Sequence, residues 1–210
     1  MIGLTRRALL LSGVAAAIGP MLPVRAETNS PLDQPLLDLY TALEAAMRAG
    51  RTTPFAQRFD ALAPVVDQVF DLETVLKVSV GLRWDGMDPD VRSRLLRAFR
   101  RFTVATYVAN FDKYDGERFQ VLPESRDSGA DRVVGTEIVK ADGERIRLDY
   151  VMRNGNGIWR VVDVLLDGSI SRVAVQRSDF RKILAGGDAD ALIVSLHRKI
   201  ADLSDGALNS

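Results

Sequence analysis

The sequence predicts an α+β fold in which about six helices pack against a four-stranded antiparallel sheet. Apolar residues recur at helical spacing up to Gly116, alternate with a period of two to about residue 167, and then return to helical spacing. Short turns join three of the strands, which is typical of an antiparallel meander. No internal repeat or linker divides residues 27–210, so we expect a single domain there.

Four helices are predicted before the sheet. They begin at Pro31, Thr53-Pro54, Asp71 and Asp88-Pro89, and they end near Ala49, Val69, Gly81 and Asn110. Thr53 and Asp88 each combine an N-cap with a proline at the first helical position. Pro64 is expected to kink or split the second helix.

The strands and the last two helices follow Gly116. The predicted strands cover residues 117–125, 131–140, 144–153 and 158–167. The two helices cover about 170–185 and 189–203, with Gly186-Gly187 between them.

Residues 1–26 are predicted to be an export signal that lies outside the folded domain. Arg6 and Arg7 precede an apolar stretch over residues 8–18, which is shorter than the ~20 apolar residues of a membrane span. Small residues near Ala26 suit cleavage, and the arginine pair fits both the Sec and the twin-arginine routes. We therefore expect the mature chain to lie outside the cytoplasm.

Composition excludes several classes of protein. The chain has no cysteine, which rules out disulfides, c-type haem attachment and a lipidated N-terminal cysteine. It has 28 basic and 28 acidic residues, and loss of residues 1–26 would remove Arg6, Arg7 and Arg25 and leave a net charge of −3. Such a chain lacks the excess of cations on which nucleic-acid binding depends.

The loop between the second and third strands fixes their register. A three-residue loop with Gly143 in the left-handed conformation opposes Lys140 to Glu144 and avoids a like-charge pair of Lys140 with Arg145. This loop pairs Val134 with Tyr150, Thr136 with Leu148, and Ile138 with Ile146.

The next turn is predicted to contain four residues, Asn154 to Gly157, so that Arg153 pairs with Ile158. That register opposes Met152 to Trp159, Tyr150 to Val161, Leu148 to Asp163, and Ile146 to Leu165. All of these side chains would share one face, because side chains alternate along a strand.

The resulting face of the sheet is broad and apolar. Its members are Val134, Ile138, Ile146, Leu148, Tyr150, Met152, Trp159, Val161 and Leu165. Asp163 is the acid predicted on that face, and a buried carboxylate is costly unless it is hydrogen-bonded. It either accepts hydrogen bonds from Thr136 or a helix end, or lies at the mouth of a ligand pocket.

No catalytic or metal-binding motif is recognisable. His197 is the only histidine, and without cysteine a transition-metal site would need carboxylates almost alone. Gly155 and Gly157 lie in a hairpin turn and do not open a helix, so they form no phosphate-binding loop. We expect no catalytic residue, no metal and no cofactor.

Arginines crowd the longest predicted helix. Arg94, Arg97 and Arg101 share a face opposite its apolar stripe. They form either an ordinary solvated face or a docking patch for an acidic partner or anionic lipid headgroups.

The segment after the third strand carries a family pattern. Trp159, Val161, Asp163, Gly168, Ser169, Arg177 and Phe180 give W-x-V-x-D-x4-G-S-x7-R-x2-F. The pattern resembles the MlaC or toluene-tolerance family of periplasmic lipid-shuttle proteins, most of all its hopanoid-associated HpnM branch. The G-x2-W segment at Gly81 and the series Tyr107, Phe111 and Tyr114 are similar to that family as well.

The resemblance implies a twisted sheet packed by helices, an NTF2-like cone whose pocket holds acyl chains. It implies a periplasmic carrier of phospholipid, or of hopanoid, between an outer-membrane lipoprotein complex and an inner-membrane MCE/ABC transporter. The sheet side of the pocket would contain Val134, Ile146, Leu148, Tyr150, Trp159, Val161 and Leu165. Periodicity adds Phe99, Phe102 and Tyr107 on the helix side, and we expect a monomer.

Two other hypotheses remain open from the sequence. One is an NTF2-like enzyme that acts on an apolar molecule, with Asp163 and Tyr150 as acid and base. The other is an interaction module that binds a partner through the arginine face and carries no ligand.

Overall fold

The computed structural model describes residues 30–208, so the predicted export signal lies outside the described residues. The six α-helices are α1 Gln34–Ala49, α2 Phe55–Val69, α3 Leu72–Val80, α4 Pro89–Asn110, α5 Arg172–Gly186 and α6 Ala189–Leu203. The five strands are β1 Arg118–Ser128, β2 Asp131–Val139, β3 Arg145–Gly155, β4 Ile158–Leu166 and β5 Ile170–Ser171. The predicted α+β class and its six helices are confirmed.

The sheet has five strands in the order β1-β2-β3-β4-β5, and every neighbouring pair is antiparallel. The prediction of four strands is wrong because β5 has only two residues, too few for an alternating pattern. Leu165 and Leu166 of β4 pair with Ser171 and Ile170 of β5. This pairing leads the chain directly from the sheet into α5.

Side-chain caps begin several helices. Asp71 accepts a hydrogen bond from the Thr74 amide, and Asp88 accepts one from the Asp90 amide, so both predicted starts are confirmed. The predicted cap at Thr53 is wrong, because its hydroxyl donates to the Ala49 carbonyl instead. Helix α2 continues through Pro64 as one helix.

The hydrophobic core joins the helices to one face of the sheet. Fully buried residues from the helices include Leu36, Leu43, Leu76, Leu95 and Val104. Val134, Tyr150, Met152 and Val161 contribute the sheet side. Within residues 30–208 no helix combines the length and apolar character needed to cross a membrane.

The predicted register of β2 and β3 is confirmed. Val134 pairs with Tyr150, Thr136 with Leu148, and Ile138 with Ile146. The Lys140 amide donates to the Glu144 carbonyl at 2.9 Å across the loop. Gly143 has φ of 90°, the left-handed conformation that this loop requires.

The predicted register of β3 and β4 is wrong. Gly155 pairs with Ile158, so the turn contains only Asn156 and Gly157, both with positive φ, as a tight two-residue hairpin requires. A β-bulge at Val162 then shifts the register again, because Met152 pairs with Val161 whereas Val151 pairs with Asp163.

The bulge changes which side chains of β4 share the face of Tyr150, whereas the two-residue shift at the turn changes only their partners. Val164 now lies opposite Tyr150, and Leu166 lies opposite Leu148. Leu165 pairs with Asp149 and therefore lies on the other face, contrary to the prediction.

Candidate functional site

A cavity of about 390 Å³ lies between the sheet and helices α3, α4 and α5. Its volume is within the usual range of small-molecule sites, ~300–1,000 Å³. Most of its lining is aliphatic or aromatic. The polar and charged lining residues are Thr103, Thr106, Asn110, Asp163, Arg172 and Gln176.

Helix α4 supplies the aromatic wall of this cavity. Its lining residues are Phe99, Phe102, Thr103, Thr106, Tyr107 and Asn110, with Phe111 immediately after the helix. Spacings of three, four, seven and eight residues place these side chains on one face of the helix. The hydroxyls of Thr103 and Thr106 donate to carbonyls one turn earlier, which reduces the polarity of this wall.

The sheet supplies the opposite wall. Its lining residues are Ile138 from β2, Ile146, Leu148 and Tyr150 from β3, and Val161, Val164 and Leu166 from β4. They lie in adjacent rows because the β2–β3 pairing and the bulged β3–β4 pairing align them. The wall is therefore apolar across three neighbouring strands.

Seven of the ten residues predicted to contact lipid line this cavity. They are Phe99, Phe102, Tyr107, Ile146, Leu148, Tyr150 and Val161. Val134 is fully buried in the core, and Trp159 packs near the hairpin end of β4. Leu165 faces the other side of the sheet.

The sequence did not identify Phe70 or Leu166 as lining residues. Phe70 lies at the junction of α2 and α3, where the Asp71 amide donates to the Val161 carbonyl at 3.0 Å. This backbone hydrogen bond attaches the junction to β4, and no local sequence pattern indicates it. Leu166 was missed because the bulge at Val162 changes its face.

Three tyrosines adjoin the cavity and the core behind it: Tyr40 and Tyr150 are buried, and Tyr107 is half-buried. Burial raises the pKa of Tyr40 to about 12, although its hydrogen bond to Thr136 offsets part of the rise. Burial raises the pKa of Tyr107 and Tyr150 as well, and the charge of Arg172 opposes the rise at Tyr107. The Thr136 hydroxyl in turn donates to the Leu148 carbonyl, so the hydroxyl chain ends on the backbone.

Asp163 connects the sheet to α5. Its carboxylate accepts hydrogen bonds from the Ser171 hydroxyl at 2.5 Å, the Val173 amide at 3.1 Å and the Val164 amide at 2.7 Å. The predicted bond from a helix end is thus confirmed, whereas the alternative bond from Thr136 is wrong. Asp163 also lines the cavity.

On the other face of the sheet, Asp149 is almost completely buried under two arginines. Arg147 donates to it at 2.8 Å and Arg126 at 3.0 Å. Burial alone would raise the pKa of Asp149, but these hydrogen bonds and charges hold it below the usual value. This cluster is structural and lies away from the cavity.

The three arginines of the predicted docking patch have different surroundings. Arg94 forms an ion pair with Asp190 of α6 at 2.6 Å, and the Arg101 guanidinium lies 5.9 Å from the Phe59 ring centre of α2. Arg97 is exposed. Two of the three therefore tie α4 to neighbouring helices.

His197 lies on α6 and does not line the cavity. Across residues 30–208, no group of three or more His, Asp or Glu side chains is arranged to hold a metal ion. The mainly aliphatic and aromatic lining of the cavity suits apolar groups, and its charged side chains are Asp163 and Arg172.

Comparison with known proteins agrees with this geometry. The toluene tolerance protein ttg2D of Pseudomonas putida is 26% identical over 214 aligned residues, which cover 100% of this chain and 97% of that protein. A phospholipid-binding protein of Ralstonia solanacearum, solved in complex with a phospholipid, has the same fold. It superposes with a TM-score of 0.70 at 18% identity, over 85% of this chain and 99% of that one.

The family model of the MlaC protein matches residues 38–198. These residues include every position that lines the cavity and the whole sheet. Since the match covers most of the chain, this protein belongs to the MlaC family.

Proposed function

We propose that this protein is a non-enzymatic carrier that holds the acyl part of a phospholipid in the cavity between its sheet and α3, α4 and α5. The observation that supports this most strongly is the continuous apolar lining, with Phe99 and Phe102 facing Leu148 and Leu166. Family membership and the phospholipid bound by the Ralstonia solanacearum protein point to the same ligand.

The physical basis of such a carrier is the transfer of acyl methylenes from water to the cavity. Each buried methylene contributes ~0.8 kcal/mol, so ten of them would contribute about 8 kcal/mol. No covalent step is required. Release would then need a docking partner that offers the tails another apolar environment.

The cellular setting is also part of the proposal. Residues 1–26 would direct export to the periplasm, and residues 27–210 would form the single, monomeric, cone-shaped NTF2-like domain. The carrier would shuttle lipid between an outer-membrane lipoprotein complex and an inner-membrane MCE/ABC transporter. Arg97, with Arg94 and Arg101 beside it, is a candidate docking patch, and hopanoid is the alternative cargo in an HpnM-like role.

The enzymatic alternative has less support. Asp163 accepts three hydrogen bonds from within the fold, two of them from the start of α5, so a structural role accounts for its contacts. Burial raises the pKa of Tyr150 well above its usual value, so Tyr150 is a poor base at neutral pH.

Native mass spectrometry of the protein purified in its mature form tests the proposal. We expect a one-to-one complex with a phospholipid, and we expect the delipidated protein to recover that complex from phospholipid vesicles. Protein that carries no lipid after purification and takes none from vesicles would contradict a carrier function. Conversion of a bound lipid into a product of different mass would favour the alternative that this protein is an enzyme.

A further inference from the structure

Two charged side chains, Asp163 and Arg172, line the cavity. Only Asp163 has hydrogen-bond partners within the described part of the protein. Asp163 accepts hydrogen bonds from Ser171, Val173 and Val164. Arg172 is exposed, and among residues 30–208 it forms no ion pair and donates no side-chain hydrogen bond to another residue. It lines the same cavity as Tyr107 of the aromatic wall.

The position of Arg172 is unfavourable for a cation that serves only the fold. Arg172 is the first residue of α5, where the positive end of the helix dipole repels a cation. It also lines the apolar cavity, and because it is exposed it remains accessible to a ligand. An anion bound there would offset the repulsion from the helix dipole.

Gln176 provides additional donors beside Arg172. It lies four residues later on the same face of α5 and also lines the cavity. Its amide oxygen lies 3.1 Å from the Ser79 hydroxyl, whose single hydrogen is shared with the closer Val75 carbonyl at 2.8 Å. Within residues 30–208 the amide NH₂ group donates to no other residue. The margin of the cavity therefore has a planar cation and an amide donor, but no free carboxylate from Asp163.

We propose that Arg172, assisted by Gln176, binds the phosphate of the lipid headgroup while the acyl part occupies the cavity. The inference rests on the carrier function and specifies its ligand class. A guanidinium can donate two parallel hydrogen bonds to two oxygens of one phosphate. A hydroxyl headgroup offers a single uncharged oxygen and cannot accept both bonds in this way. The site therefore prefers a glycerophospholipid over a neutral lipid such as a diacylglycerol or a hopanoid alcohol.

The test compares wild type with Arg172→Gln and with Arg181→Gln. Arg181 is exposed on the same helix and does not line the cavity, so its variant makes the same change of charge away from the site. Delipidated proteins are incubated with vesicles that contain equal amounts of phosphatidylglycerol and a diacylglycerol with the same acyl chains. Native mass spectrometry then gives the ratio of the two lipids bound.

We expect wild type and Arg181→Gln to prefer phosphatidylglycerol equally, and Arg172→Gln to lose about tenfold of that preference. Arg172→Gln should remain at least as stable as wild type, since it removes a cation from a helix start. Its thermal midpoint therefore separates loss of binding from loss of folding.

Three outcomes would overturn one claim or another. If lipid binds but the ratio is the same in Arg172→Gln and wild type, the assignment of Arg172 is wrong and the carrier function stands. If no protein binds either lipid, the carrier function itself fails. If Arg172→Gln keeps the wild-type lipid ratio but loses the binding of inorganic phosphate that wild type shows, Arg172 binds free phosphate and the headgroup assignment is wrong.

Discussion

The Ser171 hydroxyl donates to the Asp163 carboxylate at 2.5 Å, and the same carboxylate accepts the Val173 amide of α5 at 3.1 Å. Asp163 thus attaches the first turn of α5 to the bulged part of β4. Because Val173 and Gln176 of α5 line the cavity, this attachment also sets the position of one cavity wall.

Substitution of Asp163 by alanine should destabilise the fold by about 1–3 kcal/mol, because it removes a helix-start acceptor and leaves amide and hydroxyl donors without a partner. Urea unfolding measures this loss. Asp179→Ala is the control, since Asp179 lies on the surface of α5 and its contact with Lys182 is exposed and 3.7 Å long. Equal stability of the two variants would show that Asp163 does not hold α5.

Leu165 and Leu166 provide a matched test of the corrected register. Both are half-buried, but only Leu166 lines the cavity. Leu166→Trp should place its indole in the cavity and reduce phospholipid uptake from vesicles at least tenfold, whereas Leu165→Trp should leave uptake within about twofold. Loss of uptake in Leu165→Trp alone would restore the register predicted from the sequence.

The buried cluster of Asp149 with Arg147 and Arg126 predicts a dependence of stability on pH. The folded-state pKa of Asp149 lies below its usual value, so the folded protein binds this proton less tightly than the unfolded chain does. Asp149 therefore stabilises the fold above an unfolded-state pKa of about 4. That stabilisation is lost as the pH falls through this value toward the lowered folded-state pKa.

Asp149→Asn should accordingly be about 2 kcal/mol less stable than wild type at pH 7, with a smaller difference near pH 3. The Asp149→Asn variant should still lose some stability in acid, because it retains Asp131, whose pKa is lowered by the hydrogen bond from Arg153. Urea unfolding from pH 3 to pH 7 measures both curves. A difference that stays constant with pH would mean that Asp149 does not titrate as the cluster implies.

The helices were largely predictable because their ends carry local signals. Asp71 and Asp88 begin α3 and α4 where the sequence indicates, and α6 covers the predicted residues. Thr53 has the same kind of signal but bonds backward to Ala49. A hydroxyl between two helices can donate to a carbonyl at the end of the first or accept from an amide at the start of the second. The local sequence does not decide between these two hydrogen bonds.

The β3–β4 register was not predictable in the same way. The sequence Asn-Gly-Asn-Gly offers two adjacent turns, and the chain uses Asn156-Gly157. The bulge at Val162 leaves no mark in the alternation of apolar residues, because Val161, Val162 and Val164 are all apolar. The β2–β3 register was predictable because the charges of Lys140 and Glu144 distinguish the two possible loops.

Most of the cavity lining follows from periodicity, since α4 presents Phe99, Phe102 and Tyr107 on one face. The rest depends on contacts between distant parts of the chain. Phe70 reaches the cavity through the bond of Asp71 to Val161, and Arg172 reaches it because β5 brings the start of α5 to the sheet. Neither contact has a signal within its own segment.

The position of the acyl chain is the most direct test of the proposed function. A crystal structure of the protein loaded with a phospholipid that carries bromine on its acyl chains would locate the tails by anomalous scattering. We expect bromine peaks inside the cavity, between Phe102 of α4 and Leu148 of β3. Peaks confined to the protein surface, with the cavity free of lipid density, would contradict the central claim.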